Sequence, residues 1–335
     1  MKGLVSIITP CYNTGAYVGT LLETVLNQSY PHIEMIAIDD GSTDNTAEII
    51  KRYIPKFKEK GYSLTYLHQE NSGQSVAIQK GLELITGEYL VWPDSDDHYA
   101  SDFAIEKMVD RLKSLPEEFA MVRTQEIVID DSPLKNKLFI KGIDGRNLEE
   151  KDLFEDCLFQ SNNFYYCSGA YLFKTENFFN STELPIFTSK DAGQNWQLLL
   201  PVLYHFRCST ILEPLYNVVR RETSHSRNKK NYVQTKKRLL TYRDTIIETL
   251  NRIKGMPEEE RVELTTRIEN KYNKLIFDNA IIFKEKEESN IYLKKLKEAN
   301  IDRLIDNLGT WMVKKDFNLL WRIINGLNSR LKRLI

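Results

Sequence analysis

The sequence predicts an α/β protein: a mainly parallel sheet flanked by helices, followed by a helical C-terminal region. Three observations carry that expectation. Short apolar runs alternate with helix-period runs through the first 130 residues, as in chains that build a parallel sheet with crossover helices. Polar clusters at 39–44, 71–75 and 94–97 fall at or just beyond the ends of predicted strands. Past about residue 230 the strand-like runs stop and long charged helical patterns take over.

The elements follow in order. Leu4 to Thr9 is a short apolar run stopped by Pro10, which reads as a buried strand. Apolar pairs at Tyr17/Val18, Leu21/Leu22 and Val25/Leu26 recur every four residues and predict a helix with one buried face. Ile33 to Asp39 is the second strand, and Asp40-Gly41-Ser42-Thr43-Asp44 supplies a turn and helix caps before a helix beginning near Ala47. Leu64 to His68 is the third strand, and Ser75 opens a helix to about Ile85. Tyr89 to Trp92 is the fourth strand and runs into Pro93-Asp94-Ser95-Asp96-Asp97. A helix follows over about 102–115, and Met121 to Asp130 reads as extended. From 132 to 230 the pattern is less regular, with a helix from Asn195 to Phe206, kinked at Pro201, and a strand from Ile211 to Val219. The domain expectation is one unit over 1–230 and a helical region over 231–335.

Composition narrows the function classes. With 335 residues, 41% hydrophobic and 28% charged, the chain has enough material for a sizeable core. A formal net charge of −1 gives no global pull towards nucleic acid. Cys11, Cys157, Cys167 and Cys208 form no C-x-x-C pair, which disfavours a disulfide framework or a structural zinc site and makes a reducing cytoplasm the default. The N-terminal MKGLVSIITPCYN is too short in apolar residues for a signal-peptide core, and no run approaches the roughly 18 apolar residues of a membrane span.

In a parallel sheet ligands bind outside the carboxyl ends of the strands, so three polar clusters at successive strand ends predict one pocket. Asp94-Ser95-Asp96 offers two carboxylates that could hold Mg²⁺ or Mn²⁺ through hard oxygen ligands. Such a cation bridges a diphosphate and neutralises charge on a leaving nucleoside diphosphate. A polar turn capping the next helix has the same composition. Asp39-Asp40-Gly41-Ser42 could present a carboxylate to a base N–H, or serve only as turn and cap. Tyr12 could stack on a nucleobase, or belong to the core or surface.

Together the segments IITPCYN, AIDDGSTDNT, ENSGQSVAIQKGL and VWPDSDDHY, in this order, resemble the family 2 glycosyltransferases of GT-A fold. The resemblance covers 3–115 well and extends weakly to about 230. It implies a nucleotide-sugar half over 1–115, an acceptor half over 116–230 and an inverting transfer from a nucleotide-sugar donor, most commonly a UDP-sugar. It places Thr9, Pro10 and Tyr12 around the base, Asp40 on the base edge, and Asn71 and Gly73 in the loop near the nucleotide. Asp94 would face the ribose, with Ser95 also in the nucleotide-sugar set. Asp96 would be the metal ligand, with Mg²⁺ or Mn²⁺ as cofactor. By the same analogy His225 could be a second metal or phosphate ligand, with Arg220, Arg221 and Arg227 holding phosphate; a solvated loop His is the alternative.

The chain departs from the family pattern twice. Relatives often carry A-R-N after N-x-G, where this chain has Ala77-Ile78-Gln79. Many carry a Glu-Asp pair before an apolar helix, whose Asp is the general base; the matching stretch here is Ala192-Gly193-Gln194-Asn195-Trp196-Gln197. Asn195 cannot take up a proton as a carboxylate can, and the nearest carboxylate is Asp191. Asp191 as base is the expectation, with a solvated loop Asp as the alternative.

The segment 311–335 has six basic residues, one acid, and apolar residues at helical spacing. It suits an interfacial helix on an anionic membrane and equally a domain-packing helix with a solvated basic face. Relatives that extend lipid-linked sugars tilt the expectation towards a cytoplasmic protein peripheral to the inner face of the cell membrane. The acceptor would be a saccharide or lipid-linked, in bacterial surface polysaccharide synthesis. A processive synthase would want membrane spans and a Q-x-x-R-W motif, which Trp321-Arg322 does not supply. A nicotinamide dehydrogenase would want G-x-G-x-x-G where Pro10 to Gly15 stand. The second class kept in view is a GT-A-like module that binds a nucleotide sugar or a partner without transferring sugar.

Overall fold

The computed structural model describes residues 1–132, 137–141, 153–221 and 231–299. His225, Arg227 and the basic segment 311–335 lie outside the described residues. The chain divides into two compact units, 1–228 with 245–257, and 229–244 with 258–335.

The first unit alternates as its apolar periodicity dictates: β1 (Val5–Cys11), α1 (Val18–Leu26), β2 (Ile33–Asp40), α2 (Thr46–Lys60), β3 (Ser63–Gln69), α3 (Gln74–Leu82) and β4 (Tyr89–Val91). There follow β5 (His98–Tyr99), α4 (Ala104–Lys113), β6 (Phe119–Asp130), β7 (Lys137–Lys141), α5 (Phe154–Phe159), β8 (Tyr171–Lys174), α6 (Thr175–Ser181), α7 (Asn195–His205) and β9 (Arg207–Arg220). The strands form one sheet in the order β3-β2-β1-β4-β8-β6-β9-β5, with β7 paired to β6. The β1, β2, β3 and β4 pairings are parallel, as is β6 with β9. β8 enters antiparallel between β4 and β6 and joins the two parallel blocks.

Burial follows the pattern expected of a sheet covered on both faces. Val5, Ile7 and Ile8 of β1 are fully buried, as are Val18, Leu21, Leu22 and Val25 on one stripe of α1. α3 lies so close to β1 that a Cβ at Gly81 would stand 2.4 Å from Ile8 Cγ2. Past β9 the chain returns to this unit. The backbone N–H groups of Glu183 and Lys254 donate to the carbonyls of Arg252 and Ser181, and Thr182 bridges Ile253.

Helices α8 (Tyr232–Leu250), α9 (Glu258–Ile282) and α10 (Lys286–Glu298) complete the described elements. In the second unit Tyr232, Ile276, Phe277, Ala280, Tyr292, Leu293 and Leu296 form the buried core. α9 buries Leu264, Ile268, Tyr272 and Ile276 at four-residue spacing, the stripe of a helix with one apolar face. Among the described residues no helix is long and apolar enough to cross a membrane.

Gly81→Ala forces the buried branch of Ile8 to move, and overpacking of this kind costs about 1–3 kcal/mol. In urea unfolding it lowers the midpoint. Gly19→Ala in α1, whose added Cβ would meet nothing closer than 3.7 Å, leaves it unchanged or raises it.

Candidate active site

Parallel pairing aligns the carboxyl ends of neighbouring strands. Cys11 at the end of β1 stands opposite Asp39 on β2, and Asp40 stands opposite Gln69 on β3. Asp39 is buried and structural: Ser42 N–H donates to its Oδ1 at 2.8 Å and the Tyr66 hydroxyl donates to its Oδ2 at 2.8 Å. Burial and then that bond push the Tyr66 hydroxyl up to about 12. Asp40, 5% exposed, accepts from Gln69 Nε2, Ser72 N–H and Gly73 N–H, each at 2.8 Å. A carboxylate has about four lone-pair sites, so Asp40 first of all fixes the 69–73 loop that carries Asn71 and Gly73.

Thr9 is fully buried and its hydroxyl has no hydrogen-bond partner; Pro10 is half-buried, and Tyr12 is exposed at the rim. Gly73 has φ +98°, and a Cβ there would lie 2.3 Å from the Lys190 carbonyl oxygen. The start of α3 is thus clamped against the 189–190 backbone, and Ser75 Oγ donates to the Ser189 carbonyl at 2.9 Å. Asp191 follows in this loop and is exposed. Where relatives often have Arg, Ile78 is fully buried, and the neighbouring Gln79 accepts from Ile186 N–H at 2.9 Å.

The Asp94-Ser95-Asp96-Asp97 turn joins β4 to β5. Gln194 Nε2 donates to Asp94 Oδ1 at 3.0 Å. Asp96 pairs with the Arg221 guanidinium, which also lies 4.9 Å from the centre of the Tyr17 ring. Val219 N–H donates to Asp97 Oδ1 at 2.8 Å, tying the turn to β9. Burial, then the charge of Asp96, pushes Asp94 up to about 6, against the opposing pull of Ser168, Gln194 and Arg221. Burial, then Asp96 and Asp94, holds Asp97 well above the usual carboxylate range.

Two cavities flank this turn. One of about 410 Å³ is lined by Asp94, Asp97, Glu126, Val128, Phe139, Tyr166, Cys167 and Val218. The other, of about 230 Å³, includes Tyr17, Asp96, His98, Asp130 and Asp131. Asp191 lines neither. Among the described residues no group of three His, Cys, Asp or Glu could hold a metal ion. Asp94 and Asp96 nevertheless suit a cation that takes one or two carboxylates and completes its shell with substrate phosphates and water.

At the start of α7, Asn195 Oδ1 accepts from Trp92 Nε1 at 3.0 Å, and Gln197 Nε2 donates to the carbonyls of Gly193 and Phe187. Sequence reasoning missed the contact of Gln194 with Asp94 and the wall formed by Glu126, Tyr166 and Cys167. Glu126 carried no distinct signal, since it follows Arg123-Thr124-Gln125 in an extended run that also ends on Asp130.

A parallel sheet whose first strands end on this arrangement, with an Asp-x-Asp turn at the fourth, is an α/β fold of GT-A type. The Glycosyl transferase family 2 model matches residues 6–178, and the chain belongs to that family. TuaG of Bacillus subtilis, named for teichuronic acid biosynthesis, is 40% identical over 133 residues, which are 40% of this chain and 51% of TuaG. Glycosyltransferase GlyG of Streptococcus pneumoniae is 41% identical over 98 residues, 29% of this chain and 31% of GlyG. The chain thus spans about half the length of TuaG and less of GlyG. S. aureus TarS in complex with UDP-GlcNAc superposes with a TM-score of 0.55 at 18% identity, covering 83% of this chain and 74% of that one. The Pyrobaculum calidifontis mannosyltransferase PcManGT, with GDP-Man and Mn²⁺, gives 0.53 at 15% identity, covering 100% and 88%. At these identities the likeness is one of fold.

Asp94 is raised in the folded chain, so its ionised form costs stability once the pH exceeds about 6, and this cost vanishes as the pH falls below about 4. Asp94→Asn therefore raises the melting temperature at pH 8, and the gain shrinks between pH 6 and pH 4 in metal-free buffer. Melting curves across that range check it.

Proposed function

We propose that this chain is a metal-dependent glycosyltransferase. It takes a sugar from a nucleotide-sugar donor, a UDP-sugar first among the candidates, and passes it with inversion to a saccharide or lipid-linked acceptor in bacterial surface polysaccharide synthesis. The observation that carries this reading is the Asp94-Ser95-Asp96 turn at the end of β4, beside the strand ends that carry Thr9, Pro10 and Asp40. The UDP-GlcNAc of TarS and the teichuronic acid name of TuaG support it. The GDP-Man of PcManGT keeps GDP-sugars in the panel.

Thr9 and Pro10 would line the base, and the exposed Tyr12 ring would stack on it. Asp40 would act mainly through the 69–73 loop, whose Asn71 and Gly73 border the nucleotide. Asp94 would receive the ribose, with Ser95 beneath. A divalent cation, Mg²⁺ or Mn²⁺, held by Asp96 with Asp94 beside it, would neutralise the donor diphosphate and the charge left on it as the sugar departs. Arg221, paired with Asp96, is placed to move to a phosphate oxygen. Holding donor and acceptor together would supply much of the remaining rate.

One observation favours a second reading, binding without transfer. Gln194 and Asn195 stand where relatives often have an acidic pair, and Asn195 already accepts from Trp92.

Purified chain with Mn²⁺ and a panel of UDP-, GDP- and dTDP-sugars is expected to release nucleotide from one donor. Release disappears on chelation and falls at least about a hundredfold in Asp96→Ala, the scale of a removed charge-stabilising group. Metal-dependent binding of a donor without release would favour the second reading.

A further inference from the structure

Transfer of a sugar to a hydroxyl needs a group that takes the hydroxyl proton. The start of α7 offers only the amides of Gln194 and Asn195, both engaged with Asp94 and Trp92. The larger cavity beside Asp94 contains three carboxyl groups, those of Asp94, Asp97 and Glu126. Asp94 is held by Gln194 and, in the proposed function, faces the donor. Asp97 has Oδ1 engaged by Val219 N–H, which ties it to β9 as part of the turn's own scaffold. Glu126 comes from a wall of the cavity other than the turn, on a strand of its own. It lies within β6, paired opposite Tyr216 of β9, 3% exposed and facing the cavity.

Strand geometry reinforces this placement. Alternate residues share a face, so Thr124, Glu126, Val128 and Asp130 project to the same side of β6. Val128 walls the same cavity as Glu126, and Asp130 walls the smaller one with Asp96. Residues of β6 therefore line both cavities that flank the Asp-x-Asp turn. Burial keeps the Cys167 thiol protonated, so it can donate to Glu126 and orient it.

The cavity also suggests its occupant. At about 410 Å³ it is in the range that encloses small ligands, and Val128, Val218, Phe139 and Tyr166 give apolar and aromatic wall for the faces of a sugar ring. The carboxyl oxygens of Asp94, Asp97 and Glu126 suit hydrogen bonds donated by sugar hydroxyls, which a phosphate or carboxylate group does not offer.

We infer that Glu126 is the catalytic base and that this cavity receives a hydroxyl of an uncharged saccharide. The inference rests on the proposed glycosyltransferase activity and deepens it. In the step, the acceptor hydroxyl oxygen forms a bond to the anomeric carbon of the donor sugar as the bond from that carbon to the diphosphate breaks. The bonding pair leaves with the nucleoside diphosphate, and the hydroxyl proton passes to a Glu126 carboxylate oxygen. Asp191, exposed and outside the cavity wall, takes no part.

The test uses the full chain with Mn²⁺, the panel of nucleotide sugars, and neutral monosaccharide glycosides as acceptors. Nucleotide release is followed alongside UDP and GDP affinity. Glu126→Gln is expected to lower kcat by about 10²–10⁴-fold, the range for a lost general base, with nucleotide affinity within threefold of wild type. Glu126→Asp, with its carboxylate drawn back, falls between, and Asp191→Asn stays within threefold of wild type. Retained nucleotide affinity shows that the variants are folded. Glu126→Gln keeping a tenth or more of wild-type kcat overturns the assignment, as does a loss that appears only in the donor KM. Wild-type chain that binds neither UDP nor GDP overturns the underlying reading, and the inference with it.

Discussion

The arrangement depends on the parallel ladder joining β3, β2, β1 and β4. Its backbone hydrogen bonds bring Cys11 level with Asp39 and Asp40 level with Gln69, and they set β4 beside β1. Residues far apart in the chain thereby reach one edge of the sheet. The ladder is buried under helices on either side, so a slip of one residue would turn every inward side chain of a strand to the wrong face. The register that protects the core also fixes the site.

Polar groups then refine what the ladder aligns. Asp40 gathers three donors from the 69–73 loop, and the close approach of Gly73 to Lys190 locks that loop against the segment leading to α7. From that segment Gln194 reaches Asp94. A carboxylate in the place of Gln194 would have set another negative charge beside Asp94, whose ionised form burial and Asp96 already disfavour. The amide donates instead and relieves part of that cost. The amide also leaves the start of α7 without a carboxylate, and the larger cavity draws Asp94 and Asp97 from the turn and Glu126 from β6.

The first half of the fold was legible because buried parallel strands read as short apolar runs stopped by polar residues, and α1 carried its buried stripe at clear helical spacing. Three strands gave no usable signal, β5, β7 and β8; β7, Lys137–Lys141, is a short run in the irregular stretch after 132. β5 has only two residues, and β8, Tyr171–Lys174, lies in an aromatic-rich stretch where strand and helix patterns do not separate. Yet β8 joins the parallel blocks and so brings β6 to the site. The clusters at Asp40, Asn71–Gly73 and Asp94–Asp96 were legible as polar punctuation at strand ends. The contacts of Gln194 and Asn195 were not, because each spans about a hundred residues and links amides that look ordinary at the start of a helix. Glu126 was not legible, because it sits among Arg123, Thr124 and Gln125 in a run whose polar residues gave no hint of which face a cavity, with Glu126 on its wall, would take.

The central claim is that these strand ends form a site completed by a nucleoside diphosphate. Two carboxylates from the chain would hold a divalent ion only weakly by themselves, and diphosphate oxygens would supply the missing ligands. The most direct measurement is Mn²⁺ affinity by electron paramagnetic resonance, with and without UDP or GDP, in wild type and Asp96→Ala. The account predicts that one of the nucleotides raises the affinity of the wild-type chain by about tenfold or more and leaves that of the variant unchanged. Mn²⁺ affinity indifferent to both nucleotides, or equally enhanced in Asp96→Ala, would contradict it.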